Sequence, residues 1–256
     1  MIKIGMPQLY EYDTIEENLV LAKSLGVDFI ELNLNFGYCR AEMEKKSLAE
    51  LLAKYNLEAT LHFYDEADFG SYDEVCEAYL KLLSRYAALG SGYVKIINIH
   101  LISGPVVTIS GVKNYIYEKE FDGYIKRLIS NLKKAEKICN DNGIEMVLEN
   151  TDYLAKFMKK TYLALVRAGF KFNYDIGHDR CGGDFLLNEV IDEANLSFKE
   201  MHIHDSDGQK CHLSIGDGNT DFEKYKRFMK DCYLLLEVKQ KSDLLTSVPK
   251  FREMFS

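Results

Sequence analysis

The sequence predicts a single (β/α)8 barrel spanning residues 1–256, and three observations point to it. Short apolar runs alternate with longer amphipathic stretches about eight times along the chain. The turns leading from each amphipathic stretch back to an apolar run are short and punctuated by glycine. The length, 256 residues, matches the roughly 250 that such a barrel takes.

The predicted strands are Ile2–Met6, Phe29–Leu34, Ala59–Phe63, Val94–Leu101, Glu145–Glu149, Phe172–Asp175, Glu200–His204 and Tyr233–Val238. Each is rich in Ile, Val, Leu and Phe, as a strand covered on both faces must be. The intervening segments follow helical spacing. Thr14–Leu25 places Ile15, Leu19, Ala22 and Leu25 on one face, with Asp13 as the expected N-cap. Tyr72–Leu89, Tyr124–Asn142 and Phe222–Lys230 behave alike, and Gly26, Gly90, Gly143 and Gly169 stand where a left-handed C-cap is wanted. Strict β–α alternation requires a parallel sheet, and eight units favour closure. An open doubly wound sheet is the alternative, but neither G-x-G-x-x-G nor a P-loop follows the first strand. The one long connection, Ser103–Tyr117, is expected to cover one side of the barrel mouth as a loop.

Composition narrows the function. A content of 47% hydrophobic and 28% charged residues is that of an ordinary globular domain. A chain this long buries a core without disulfide or metal staples, so a bound metal would serve chemistry. The net charge of −8 gives no electrostatic reason to expect nucleic acid as a partner. Six cysteines occur without a C-x-x-C pair and are expected to be reduced thiols of a cytoplasmic protein. Met1 runs almost directly into a strand, so no signal peptide is expected, and no apolar run approaches a membrane span.

The placement of histidine is the informative feature. His62, His100, His178, His202, His204 and His212 all lie at the C-terminal end of a predicted strand or in the loop after it. In a barrel those ends converge on the face where active sites are built. Glu149, Asp175 and Glu237 also end apolar strand runs. A carboxylate there points into a low-dielectric mouth, where an unpaired charge is costly. A divalent cation offsets that cost, and a mixed carboxylate and histidine set suits Zn, Mn, Co or Fe better than Ca. Glu149, Asp175, His202 and Glu237 are therefore the expected metal ligands. His204, two residues beyond His202, reads as a residue that orients a ligand. A lone strand-end carboxylate such as Glu31 reads first as a salt-bridge partner, and His212 taken alone as a surface residue.

Several segments together resemble the xylose-isomerase-like barrels across the whole chain. They are Leu61-His62-Phe63-Tyr64, Ile99-His100, Leu148-Glu149-Asn150, Asp175-Ile176-Gly177-His178, His202-Ile203-His204-Asp205, His212-Leu213-Ser214-Ile215-Gly216-Asp217-Gly218 and Leu236-Glu237-Val238-Lys239. The resemblance implies a TIM-barrel isomerase or epimerase acting on a small sugar, sugar phosphate or polyol derivative. It implies one divalent metal held by Glu149, Asp175, His202 and Glu237, with Glu149 and Glu237 doubling as the acid/base pair. His178 then contacts substrate, and His62, His100 and His212 join it. Lys210 or Arg180 is expected to meet a phosphate or carboxylate tail. An inosose dehydratase-like lyase shares the same enolate step.

The same superfamily contains endonuclease IV, a phosphodiesterase acting on abasic DNA. It adds histidines matching His62, His100 and His212 and a second aspartate to hold three zinc ions. That aspartate falls on Lys210 here, which cannot ligate as a cation, and Asp207 would substitute only in a rearranged loop. A non-catalytic carbohydrate sensor is the third class, disfavoured by the intact ligand set. Partners are thus expected to be small carbohydrates, with a homo-oligomer compatible.

Overall fold

The computed structural model describes residues 2–45, 47–184, 186–194 and 196–255. In chain order its strands are β1 (Lys3–Pro7), β2 (Phe29–Asn33), β3 (Glu58–His62), β4 (Val94–Leu101), β5 (Val106–Ile109), β6 (Val112–Tyr115), β7 (Glu145–Asn150), β8 (Phe172–Asp175), β9 (Phe198–Ile203) and β10 (Tyr233–Leu236). Eight of them close a parallel barrel in the order β1-β2-β3-β4-β7-β8-β9-β10, with β10 returning to β1 through the pairs Lys3↔Tyr233, Ile4↔Leu234 and Gly5↔Leu235. The eight expected strands are these eight; β4 and β8 keep the expected bounds and the others shift at their ends by one or two residues.

Helices cover the outside of the barrel, among them Ile15–Leu25, Asp73–Gly90, Phe121–Asp141, Met158–Arg167 and Lys241–Phe255. The first begins one residue later than the Asp13 cap implied. Thr14 Oγ1 accepts the Glu17 N–H at 3.2 Å, and Glu17 Oε2 accepts the Thr14 N–H at 3.0 Å. A capping box needs its acid three residues past the cap, and Glu17 satisfies that for Thr14. Gly26, Gly143 and Gly169 have φ of 67°, 71° and 82°, as C-caps require, whereas Gly90 stays helical and Gly92, at 92°, makes the turn into β4. The stretch expected as a helix at Phe222–Lys230 is a 3-10 helix over Phe222–Phe228. Its aromatics Phe222, Tyr225 and Phe228 recur every three residues, the period of that helix.

Two further expectations are corrected. The connection after β4 is not a plain loop, because β5 and β6 pair antiparallel as a hairpin turning at Ser110 and Gly111, both at positive φ. Its Lys113 Nζ lies 4.8 Å from the centre of the Tyr153 ring. Cys181 and Cys211 are joined as a disulfide, with Cα atoms 6.1 Å apart, and Cys39, Cys76, Cys139 and Cys232 are free and buried. The linked pair is 30 residues apart in sequence, so only the adjacency of the loops after β8 and β9 brings it together. Among the described residues no helix is long and apolar enough to cross a membrane.

Candidate active site

Side chains alternate across a strand, so residues two apart share the barrel interior. The pairs Asn98/His100 on β4, Asn173/Asp175 on β8 and Glu200/His202 on β9 make its upper half polar, and all but His100 are fully buried. Lateral register sets His100 beside Glu149 and Asp175 beside His202. Glu149, Asp175, His202 and Glu237 each direct one ligand atom into a cluster whose members lie within 4.8 Å of one another. His202 Nδ1 stands 3.1 Å from both Glu149 Oε1 and Glu237 Oε2 and 3.9 Å from Asp175 Oδ2. The four expected ligands are thus brought together.

Neighbouring residues lock these positions. Asn150 Nδ2 donates to the Asp175 carbonyl at 2.8 Å while its Oδ1 accepts the Asp175 N–H at 2.9 Å. Asp175 in turn caps the short helix Ile176–Arg180 by accepting the His178 N–H at 2.6 Å. His204 has its tautomer set by the backbone. The His212 N–H donates to His204 Nδ1 at 2.7 Å, so the ring proton sits on Nε2, which faces Asp175 Oδ1 at 3.0 Å. His204 therefore steadies the Asp175 carboxylate. A Cβ on Gly177 would lie 1.9 Å from that ring, so glycine is required there. Asn98 and Asn173 both donate to Glu149 Oε2.

Asp205, quoted in the sequence motif without a role, organises the loop that delivers His212. Its carboxylate accepts N–H groups of Ser206, Gly216, Gly218 and Thr220 at 2.8–3.0 Å. A Cβ on Gly218 would meet that carboxylate at 2.4 Å. His212 itself is held at φ 56°, a left-handed conformation uncommon outside glycine and found often at functional sites.

The remaining histidines form two pairs whose rings stand nearly perpendicular, at 89° in each. His62 Nε2 lies 3.1 Å from His100 Nε2, and Glu149 Oε2 is 3.7 and 3.6 Å from the two. His178 Nε2 lies 3.3 Å from His212 Nε2. The Nδ1 atoms of His62, His178 and His212 each face a backbone carbonyl, those of Phe63, Asn150 and Glu237, at 2.9–3.1 Å. A nitrogen facing a carbonyl must carry the proton, so in neutral rings Nε2 of these three presents a lone pair. In the His178 and His212 pair the two lone pairs therefore face each other and need a cation or proton between them.

The electrostatics ask for positive charge at the centre. Burial opposes ionisation of Glu149, but the fields of His202, His100 and His62 outweigh it and hold its carboxyl well below the usual range. Glu237 is likewise held down against its burial, by Lys239, His212 and His202. Burial disfavours the His202 imidazolium, yet Glu149, Glu31 and Glu237 together raise it well above the ordinary histidine range. Burial drives His212 down to about 4, a neutral imidazole able to ligate. Glu149 Oε1 and His202 Nε2 have no hydrogen-bond partner among the described residues. Three carboxylates and an imidazole with an orphaned oxygen match the donor set of a Zn, Mn, Co or Fe ion.

Above the cluster opens a cavity of about 470 Å³. His62, His100, His178, His212 and Glu237 line it. Lys210 does not. Its N–H and that of Gln209 donate to Asp207 Oδ1 at 2.8 Å, closing a tight turn that leaves the Lys210 side chain exposed outside the cavity. Arg180 is bonded to Asn219. The cation that reaches the cavity is Lys239, whose Nζ donates to Glu237 Oε1 at 2.7 Å. Asn33, Asp65, Glu66, Asp152 and Tyr153 also line it. All follow or end a barrel strand, the position that flagged the histidines.

A closed parallel barrel with a carboxylate and histidine cluster at its C-terminal mouth defines the class of α/β-barrel proteins that gather ligands at strand ends. More specifically, the chain belongs to the xylose isomerase-like TIM barrel family, which it matches over residues 19–250. No curated protein sequence matches it significantly. Among solved structures it is similar to a D-tagatose 3-epimerase-like protein, with 19% identity, TM-score 0.78 and coverage of 99% of this chain and 97% of that one. The 3-keto-D-glucoside 4-epimerase YcjR from E. coli, in its apo form, superposes at TM-score 0.76 with 16% identity over 99% of this chain and all of that one. The IOLI protein with a bound zinc atom does so at TM-score 0.71 with 13% identity over 98% and 97%.

Proposed function

We propose that this chain is a divalent-metal-dependent isomerase or epimerase of a small sugar. The convergence of Glu149, Asp175, His202 and Glu237 within 4.8 Å, beneath a cavity lined by sugar-binding types of side chain, is the observation that carries this reading. The similarity to a D-tagatose 3-epimerase-like protein and a 3-keto-D-glucoside 4-epimerase supports it.

Those four residues would hold the ion, which when bound polarises a carbonyl and its neighbouring hydroxyl. Glu149 approaches from β7 and Glu237 from the residue just after β10. One takes the proton from the carbon beside the carbonyl and the other returns one, from the opposite face in an epimerisation. His62, His100, His178 and His212 hydrogen-bond the sugar hydroxyls. Lys239 keeps Glu237 ionised and oriented. The rim carries Asp65, Glu66 and Asp152, and Lys239, the one lysine lining the cavity among the described residues, is already engaged by Glu237. That balance favours an uncharged sugar over a sugar phosphate.

The test is to incubate the metal-loaded protein with ketohexoses in D2O. Deuterium should enter beside the carbonyl as the epimer forms. Glu149→Gln and Glu237→Gln should each slow turnover by about two to four orders of magnitude. Metal content is measured in each variant, since both residues also ligate. Near-normal rates in variants that keep their metal would end the two-glutamate mechanism.

The facing histidine pairs favour a second reading, a phosphodiesterase with up to three metals acting on abasic DNA. Two features oppose it: Lys210 stands where a second ligating aspartate is needed and cannot ligate as a cation, and the acidic rim repels a DNA backbone. Elemental analysis giving three metals per chain, with cleavage of an abasic duplex, would reverse the ranking.

A further inference from the structure

Beneath the four-ligand cluster lies a second buried acidic layer. Glu31 on β2 and Glu200 on β9 stand there, 2% and 0% exposed, and with His202 they form a group whose ligand atoms lie within 4.8 Å of one another. Glu31 was expected to be a salt-bridge partner. Its partner is neither lysine nor arginine: the ionisable group beside Glu31 Oε1 is His202 Nε2, at 3.4 Å.

His202 thus belongs to both layers. Its Nδ1 faces Glu149 and Glu237, and its Nε2 faces down the barrel. A ring nitrogen ligates only through its lone pair, so a ligating Nδ1 obliges Nε2 to carry the proton. That N–H is fully buried and has no hydrogen-bond partner among the described residues, and Glu31 Oε1 has none either. An orphaned buried donor and an orphaned buried acceptor, each costly alone, face each other within a small adjustment of hydrogen-bonding distance.

We propose that Glu31 is the positioning residue of the site: its carboxylate accepts the His202 Nε2–H, fixes the ring tautomer, and turns the Nδ1 lone pair onto the metal position. This rests on the metal-binding reading above. Metal-ligating histidines generally pass their second N–H to a carboxylate or carbonyl, which orients the ring and raises its basicity. Register supports the geometry, because β2 is separated from β9 in the closed sheet only by β1 and β10. Glu31 therefore reaches His202 across the barrel interior.

The experiment is Co2+ titration followed by visible absorption, on the full chain and on Glu31→Leu and Glu31→Gln. Glu31→Leu removes the acceptor and should weaken Co2+ binding by about 10- to 100-fold with an altered d–d spectrum. Glu31→Gln keeps a carbonyl acceptor and should restore most of the affinity. In 15N-histidine spectra of the Zn2+-loaded protein, a slowly exchanging Nε2–H of His202 should be present in the wild type. It should shift in Glu31→Gln and exchange fast in Glu31→Leu.

Wild-type Co2+ affinity and spectrum in a folded Glu31→Leu protein would overturn the proposal. If Glu31→Leu does not fold, an unshifted Nε2–H in Glu31→Gln does so instead. A wild type that takes up no Co2+ overturns both this inference and the metal-dependent function. One that shows the Glu31 pattern but epimerises no sugar leaves the inference standing and removes only the function.

Discussion

The two ends of the barrel treat charge in opposite ways. At the N-terminal end Lys3 on β1, Glu58 on β3 and Tyr233 on β10 close a network in which every member has a partner. Lys3 Nζ donates to Glu58 and to Tyr233 Oη, and Tyr233 Oη donates to Glu58 at 2.6 Å. The cavity there, about 540 Å³, is lined by Lys3 and Lys23 against Asp28 and Glu58, a balanced set. At the C-terminal end the cavity is of similar size, about 470 Å³, but Asp65, Glu66, Asp152 and Glu237 face a single lysine, Lys239, among the described residues. Below it Glu149 Oε1, Glu31 Oε1 and both oxygens of Glu200 lack hydrogen-bond partners among the described residues. Size does not separate the two ends; unsatisfied carboxyl groups do. The paired end ties strands together, while the other carries a folding cost that a cation would relieve.

The largest effect that sharpens this contrast is stabilisation by metal. A ligand that binds only the folded chain stabilises it by about 2.7 kcal/mol at 100 times its dissociation constant. Scanning calorimetry with Mn2+ or Zn2+ should therefore raise the midpoint by roughly 5–10 °C for a chain of this size. Asp175→Asn should lose most of the rise, because it removes a ligand charge without changing shape. Identical midpoints with metal and with chelator would remove the idea that the acidic end is built for a cation.

How much of this contrast is legible in the sequence depends on the period-two rule. The four clustered residues could be read as candidate ligands because they end apolar runs, as in Leu148-Glu149 and Tyr174-Asp175, where a charge has no apolar explanation. The layer beneath was less visible. Glu200 sits two residues before His202, Asn98 two before His100 and Asn173 two before Asp175, so strand alternation marks them once the strand-end ligands are known. Glu31 looked like an ordinary strand-end acid because its partner lies across the barrel, and closure is not a local property. Lys210 failed for a related reason. Its place in the loop depends on the turn that Asp207 makes with the backbone, which sequence proximity to His212 does not reveal. The hairpin of β5 and β6 was signalled by Ser110-Gly111 alone, too little to outweigh Gly104 and Pro105 just before it.

Glu200 gives a smaller effect, read in the metal-free protein. Burial first, and then the nearby Glu31, push its carboxyl up to about 8 from an ordinary 4.5. Between those values the folded chain keeps a proton that the unfolded chain has released. Stability must therefore fall as pH rises through the window from 4.5 to 8 and level off above it. Glu200→Gln cannot ionise, so its urea midpoint should fall less between pH 5 and pH 8.5 than the wild-type midpoint does. Equal declines in the two proteins would show that Glu200 ionises in the folded barrel as easily as in water.

The smallest effect belongs to the paired end and tests whether its pairing is only structural. Glu58→Gln keeps an oxygen that can accept from Tyr233 Oη but removes the charge facing Lys3. Both side chains are about a third exposed, 30% for Lys3 and 35% for Glu58, so solvent screens the lost attraction and the cost should be about 1 kcal/mol or less. Burial works against ionisation of Glu58, and the Lys3 and Tyr233 hydrogen bonds overcome it to hold the carboxyl below its usual range. The contribution is thus present at neutral pH and lost as pH falls through that depressed value. Urea unfolding of Glu58→Gln at pH 7 should show the small loss, and at pH 3 the gap from wild type should narrow. Co2+ affinity should stay unchanged, because Glu58 lies at the opposite end of the barrel from the ligands. A variant that loses metal along with this slight destabilisation would mean the two ends are energetically coupled and the division of labour between them is wrong.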